Sequence, residues 1–194
     1  MSIVVNPPTN IFPTKILTSR DNNFSSYRDN MILWMEDYAT KNTSTKKSNI
    51  GGYQSPDNFY LEESFQFFYD RIVEQIASMT SNYFEGTPIN KIEVTNMWFN
   101  FNEKNCYNVV HSHPRSSVSG VLWVNTIEEH PPLFFHDPNY NDKYSLGVDH
   151  PEYFYYPKDG DMILFPSYLM HGVSANITDT KRISIAFNTT AYYE

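Results

Sequence analysis

Residues 160–188, GDMILFPSYLMHGVSANITDTKRISIAFN, decide the fold. The stretch begins and ends in short β-rich runs, Asp161–Pro166 and Arg182–Asn188, with a third, Gly172–Ala175, between them. Along the last run Ile183, Ile185 and Phe187 alternate with Arg182, Ser184, Ala186 and Asn188. Successive strand side chains point to opposite faces. One face is therefore apolar and fit to pack on another layer, while the other is small and polar and suits a pocket. If Gly172–Ala175 and Arg182–Phe187 pair as a hairpin that turns within Asn176–Asp179, His171 lies opposite Arg182, within reach of one small ligand. An Arg on an interior face needs an anion, because an unpaired buried charge is very costly. A carboxylate gripped by its planar fork, with a further hydrogen bond from Ser184, satisfies it. The alternative is an Arg that reaches the rim and pairs with Asp179 or Asp161.

Working outward, similar runs punctuated by Gly, Pro and Asn occur at Lys91–Asn102, Asn108–His113, Val118–Asn125 and Leu133–His136. Many short strands suggest a β-sandwich or barrel. The first half reads differently. Phe24–Tyr38 carries its apolar residues roughly along one helical face. After Pro56-Asp57, with Asp57 a plausible N-cap, Leu61, Phe65, Phe68, Ile72, Ile76, Met79 and Tyr83 keep a three- to four-residue rhythm. Gly86 and Pro88 then stop it. The expected class is α+β, mostly β, with helices buttressing one sheet. One domain over 1–194 is expected, with a mainly helical part at 1–87 and a β part carrying the site at 88–194. The tyrosine-rich segment His136–Asp159 is expected to be a lid over the site or a surface loop packed by its own aromatics.

Composition narrows the function. The 194 residues carry 14 Lys+Arg against 22 Asp+Glu, a net charge of −8, which argues against a broad grip on nucleic-acid phosphates. Apolar residues at 40% and aromatics at 16% exclude a disordered chain. The single cysteine, Cys106, excludes a disulfide framework and any Cys-based zinc site. Met1–Pro13 lacks the basic start of a secretory signal, and no run approaches the roughly 18 apolar residues of a membrane span. The expected location is the reducing cytoplasm, with no membrane or nucleic-acid partner; the aromatic content would allow a homodimer.

Six histidines stand at 111, 113, 130, 136, 150 and 171. In His111-Ser112-His113 the two imidazoles sit two apart on a strand, share a face and can converge on one ion. Such a pair alone is weak evidence, since a strand histidine is more often a bland surface or core residue.

Together with His171 and the Arg182-Ile-Ser184 element, the pair resembles the 2-oxoglutarate/Fe(II)-dependent oxygenases, and more narrowly the small members found in bacteria and in phages of marine cyanobacteria. The segments that carry the resemblance run in order over nearly the whole chain. They are Ile11–Thr14, Ser48–Ser55, Trp98–Asn100, Tyr107–Pro114, Ser119–Trp123, Phe134–Pro138, Phe165-Pro166 with His171, and Arg182–Asn188. The resemblance implies a double-stranded β-helix, a jelly roll of two sheets with N-terminal helices packed on one. It implies a dioxygenase using Fe(II), 2-oxoglutarate and O2, acting as a hydroxylase on a peptide or small molecule, and host cytoplasm as the location if the gene is a phage's. His111 and His171 would be iron ligands. Arg182 and Ser184 would hold the far carboxylate of 2-oxoglutarate, with Asn108 and Asn100 supplying hydrogen bonds near it.

One departure matters. The broad superfamily places Asp or Glu where this chain has His113, giving two His and one carboxylate. Three readings follow: His113 completes a three-His site, which its register favours; Asp137 closes the triad from another strand; or only two protein ligands bind. A cupin-type three-His site would carry a Glu soon after the pair, where this chain has Pro114, Arg115, Ser116 and Ser117; an HExxH hydrolase lacks its motif here. The competing class is a non-catalytic jelly roll, a binding or virion-associated protein, in which Trp123 and Tyr153–Tyr156 form a sugar-stacking or assembly surface. That reading gives His and Arg no reason to meet.

Overall fold

The computed structural model describes residues 7, 13–139 and 151–193. In chain order the elements are β1 (Leu17–Arg20), α1 (Arg28–Lys41), β2 (Asn49–Ile50), β3 (Tyr53–Gln54), α2 (Gln66–Tyr83), β4 (Ile89–Asn102), β5 (Tyr107–His111), β6 (Val118–Asn125), β7 (Leu133–His136), β8 (Glu152–Tyr155), β9 (Asp161–Pro166), β10 (His171–Val173) and β11 (Arg182–Tyr193). Two antiparallel sheets face each other as a jelly roll, one of six strands in the order β1-β9-β6-β11-β4-β3, the other of five in the order β2-β5-β10-β7-β8.

The six-stranded sheet is covered on both sides, and its sequence shows why. Ile183, Ile185 and Phe187 of β11, with Phe99 and Leu122, pack on Met31 and Met35 of α1 and on Phe68, Ile72 and Ile76 of α2. The opposite face meets the smaller sheet through Trp123, Ile163, Phe165, Leu133 and Phe135. A strand buried on both faces needs no polar alternation, and β9 (DMILFP) is buried at all six positions. Gly120 is forced by this packing: a Cβ there would sit 2.3 Å from Cζ of Phe187 and 2.7 Å from the Ile163 carbonyl oxygen.

The hairpin expected between Gly172–Ala175 and Arg182–Phe187 does not form. β10 pairs with β5 and β7, whereas β11 pairs with β4 and β6, so the two strands belong to opposite sheets. The link between them crosses the edge of the sandwich and is pinned by Asn176, which is fully buried. Its Nδ2 donates to the Asn102 and Thr180 carbonyls at 3.0 and 2.8 Å, and its backbone N–H to that of Cys106 at 2.9 Å.

The long helix also starts later than the sequence rhythm predicts. Residues 56–65 form two short 3-10 turns, and Asp57-Asn58 is spent on the edge of β4: the Met97 N–H donates to the Asp57 carbonyl at 3.0 Å. Leu61 is consequently exposed, while Phe65 through Met79 keep the buried face. Residues before 88 also supply strands to both sheets, through β1, β2 and β3. Residues 140–150 of the 136–159 segment lie outside the described residues, and Glu152–Tyr155 forms β8 against β7.

Phe187 joins helices to sheet with none of its surface exposed. Phe187→Ala is expected to cost about 3–5 kcal/mol, read as a lower urea midpoint with an unchanged slope.

Candidate metal and cosubstrate site

The two sheets each bring one half of a site to the space between them. From the smaller sheet, β5 and β10 pair so that His111 and His171 stand directly opposite each other. The cross-strand neighbour of His171 is thus His111, not Arg182. Their rings lie 4.5 Å apart between centroids, and His113, just past the end of β5, lies 4.8 and 5.1 Å from them. The nearest ligand atoms of the three all fall within 4.8 Å of one another. Asp137 is not in this cluster; its carboxylate accepts the Asn139 N–H at 2.9 Å.

Backbone contacts aim the rings. Nδ1 of His111 donates to the Val109 carbonyl at 2.7 Å, and Nδ1 of His171 to that of Leu169 at 2.8 Å. With Nδ1 carrying the proton, each Nε2 presents a lone pair to the common centre. His113 is held by its backbone, whose N–H donates to the Ser167 carbonyl at 2.8 Å, and by the Trp98 ring 5.5 Å away. Burial disfavours a charge on all three rings, and they disfavour it in one another. His113 is pushed down to about 3 and His171 to about 4, and His111 is lowered as well. At pH 7 the cluster therefore offers neutral imidazoles, the form that binds a metal.

From the larger sheet comes Arg182, the first residue of β11 and 2% exposed. Neither of its Nη atoms has a hydrogen-bond partner among the described residues. Burial lowers its pKa to about 10, which leaves it charged at pH 7. The carboxylates proposed by sequence to neutralise it are engaged elsewhere: Asp161 pairs with Arg20 at 2.6 Å and Asp179 with Lys104 at 2.9 Å. Arg182, Ser184 and the three histidines line one narrow cavity of about 40 Å³. Arg182 and His171 do share a ligand space, then, but across the sandwich rather than along a hairpin.

Asn108 and Asn100 line the same cavity, and two residues that the sequence reading missed, Asn49 and Asn102, set their orientation. The Gly52 N–H donates to Asn49 Oδ1, so Asn49 Nδ2 faces the Tyr53 carbonyl at 3.2 Å and the Oδ1 atoms of Asn100 and Asn102 at 3.2 and 3.4 Å. Asn102 Nδ2 in turn donates to Asn108 Oδ1 at 3.3 Å. Each link accepts on one side and donates on the other, which leaves the Nδ2 donors of Asn100 and Asn108 for the cavity. The i, i+2 spacing of Asn100 and Asn102 on a strand was the signal available in the sequence.

The remaining histidines do other work. His130 braces a turn, its Nε2 donating to the Thr180 carbonyl at 2.9 Å. His136 lies 3.7 Å from Glu152, and His150 lies outside the described residues. Trp123 is 2% exposed and lines the cavity, so it offers no outward sugar-stacking platform.

Three neutral imidazoles converging on a point, with an orphaned guanidinium in the same cavity, fit a divalent metal and an anion together. The fold is a jelly roll, and the three histidines form a candidate metal centre within it. Residues 96–188, which hold every candidate ligand, match the family model described as "Putative 2OG-Fe(II) oxygenase". No curated protein matches the chain's sequence. Its fold is similar to that of HygX from Streptomyces hygroscopicus, solved with nickel and 2-oxoglutarate bound (TM-score 0.65, 12% identity, covering 91% of this chain and 82% of that one). It is also similar to SnoN, a non-heme alpha ketoglutarate dependent epimerase from nogalamycin biosynthesis (0.71, 12%, 93% and 81%). A third similar fold is that of a Pseudomonas putida prolyl-4-hydroxylase (0.60, 13%, 91% and 93%). No helix among the described residues is long and apolar enough to cross a membrane.

The lowered histidine pKa values set a pH dependence. The unfolded chain takes up protons on these residues near pH 6.5, while the folded cluster resists them until about pH 4 or below. Stability is therefore present above 6.5 and lost as pH falls from there through the folded values. Metal-free protein should melt at progressively lower temperature across this window, and His113→Asn should flatten the fall.

Proposed function

We propose that His111, His113 and His171 hold Fe(II), and that Arg182 with Ser184 holds the far carboxylate of 2-oxoglutarate. The reaction is oxidation of a C–H bond, most simply hydroxylation, in a small molecule or peptide. The observation that carries this reading is Arg182: a guanidinium sealed between two sheets with both Nη atoms unpaired among the described residues, in the same cavity as three metal-competent imidazoles. A five-carbon 2-oxo diacid is suited to such a space, since one end can chelate the metal while the other meets the fork.

When bound, Fe(II) with 2-oxoglutarate supplies an oxidant for the C–H bond, made from O2 as the 2-oxoacid loses CO2 to give succinate. The chain's own groups do the rest. The three Nε2 atoms would hold the metal. Ser184 adds a hydroxyl donor beside the Arg182 fork, and Asn108 and Asn100 turn their Nδ2 donors into the cavity. Val121, Trp123, Leu133 and Val173 wall it with apolar surface, which excludes water and strengthens each of these contacts.

The test is an anaerobic titration of the protein with Fe(II) and 2-oxoglutarate, following the visible charge-transfer band of the chelate. Wild type should develop the band; His171→Ala should bind neither metal nor cosubstrate. Arg182→Ala should keep the metal and lose about 2–5 kcal/mol of 2-oxoglutarate affinity, roughly thirtyfold or more. Equal 2-oxoglutarate affinity in wild type and Arg182→Ala would overturn the assignment.

A further inference from the structure

A second cavity, of about 360 Å³, shares Ser48, Trp98, His111 and His113 with the narrow one but reaches neither Arg182 nor Ser184. Its size is in the range of small-molecule sites. What distinguishes it is the polarity of its wall. Gln54 is 1% exposed, and its Oε1 accepts the Asn49 N–H at 3.4 Å. The amide orientation is thereby fixed by the backbone, and the Gln54 Nε2 donors meet no protein acceptor among the described residues. The Trp98 indole N–H likewise meets none. Asn188 Nδ2 donates to Asn96 Oδ1 at 2.8 Å, while Asn188 Oδ1 accepts from Ser119 at 2.6 Å, so Asn96 also turns its NH2 to the cavity.

One cation stands at the edge, Lys47. Its partner Asp57 is 2.9 Å away and both side chains are about half exposed, a pairing that contributes little and yields to a competing anion. No Asp or Glu lines this cavity among the described residues. A wall of amide and indole donors with one lysine and no carboxylate favours a carboxylate over an ammonium group, to which it offers only the histidine lone pairs and the Trp98 face.

Building on the assignment of the histidine cluster as the metal centre, we propose that this cavity is the substrate chamber and that it selects a small molecule bearing a carboxylate. Lys47, Gln54 Nε2 and the Trp98 N–H bind that group. The rest of the molecule packs on the Trp98 ring and presents a C–H bond toward His111 and His113. Lys47 and Gln54 are then specificity-determining residues for the reaction.

The experiment uses a matched trio of probes, cyclohexanecarboxylate, cyclohexanecarboxamide and cyclohexylammonium, titrated into metal-free protein. The readout is the indole N–H resonance of Trp98, assigned with Trp98→Phe. The carboxylate should shift that resonance saturably and bind at least tenfold more tightly than the ammonium, with the carboxamide between them. Lys47→Glu, at an exposed position, should reverse the order. Gln54→Glu keeps the acceptor for the Asn49 N–H and should weaken carboxylate binding about tenfold; melting temperatures confirm that both variants fold. The proposal is overturned if no probe moves the Trp98 signal, if the ammonium binds as tightly as the carboxylate, or if Lys47→Glu leaves the order unchanged. Binding of 2-oxoglutarate to the Ni(II)-loaded protein, followed in parallel, reports on Arg182 and the histidines instead. Its failure beside an intact carboxylate preference would sink the metal-centre reading and leave the chamber's selectivity standing.

Discussion

A positive charge buried between two sheets, with no negative partner among the described residues, is the constraint on which this structure turns. Arg182 is held there by the register of β11 against β4, where it stands opposite Asn102, and by the apolar neighbours Ile183 and Ile185 that anchor the strand to the helices. Such a charge costs far more to bury alone than with an anion, so the fold carries a strained element that a ligand relieves. The helices belong to this argument because α1 and α2 clamp the outer face of the larger sheet, and that face fixes which residues of β11 look inward.

The other half of the site follows a different logic. The smaller sheet places two histidines at one cross-strand pair and lets the chain leave β5 so that His113 joins them. Packing keeps the rings neutral and carbonyls aim them. With no carboxylate among the three, the chain compensates none of the charge of a bound divalent ion. On the proposed reading, an incoming dianion would offset two of the three positive charges of the metal and Arg182, which would tie the binding of metal and cosubstrate closely together. The amide ladder from Asn49 through Asn102 to Asn108 adds directed neutral donors to this charged core.

Much of this was legible in the sequence, in specific places. The alternation Arg182-Ile-Ser-Ile-Ala-Phe gave the inward and outward faces of β11 correctly, because a period-two pattern needs only local geometry. The i, i+2 histidines likewise needed only one strand. The hairpin inference failed because symmetry about a turn says nothing about which sheet each strand joins; that choice is made by distant partners, β5 and β7 for one strand and β4 and β6 for the other. The start of α2 was misplaced for a similar reason, since Asp57-Asn58 serves the β4 edge instead of capping a helix. The two- to four-residue strands β1, β2, β3 and β8 are too short to carry a pattern of their own.

The central claim is that histidines from one sheet and an arginine from the other bind a single composite ligand. Its most direct test is a crystal structure of the protein with Ni(II), which is inert to oxygen chemistry here, and 2-oxoglutarate. The predicted result is one metal ion on the Nε2 atoms of His111, His113 and His171, with the far carboxylate of 2-oxoglutarate on the two Nη atoms of Arg182. A metal bound away from these histidines, or an Arg182 still without an anion while 2-oxoglutarate is bound, would contradict the account.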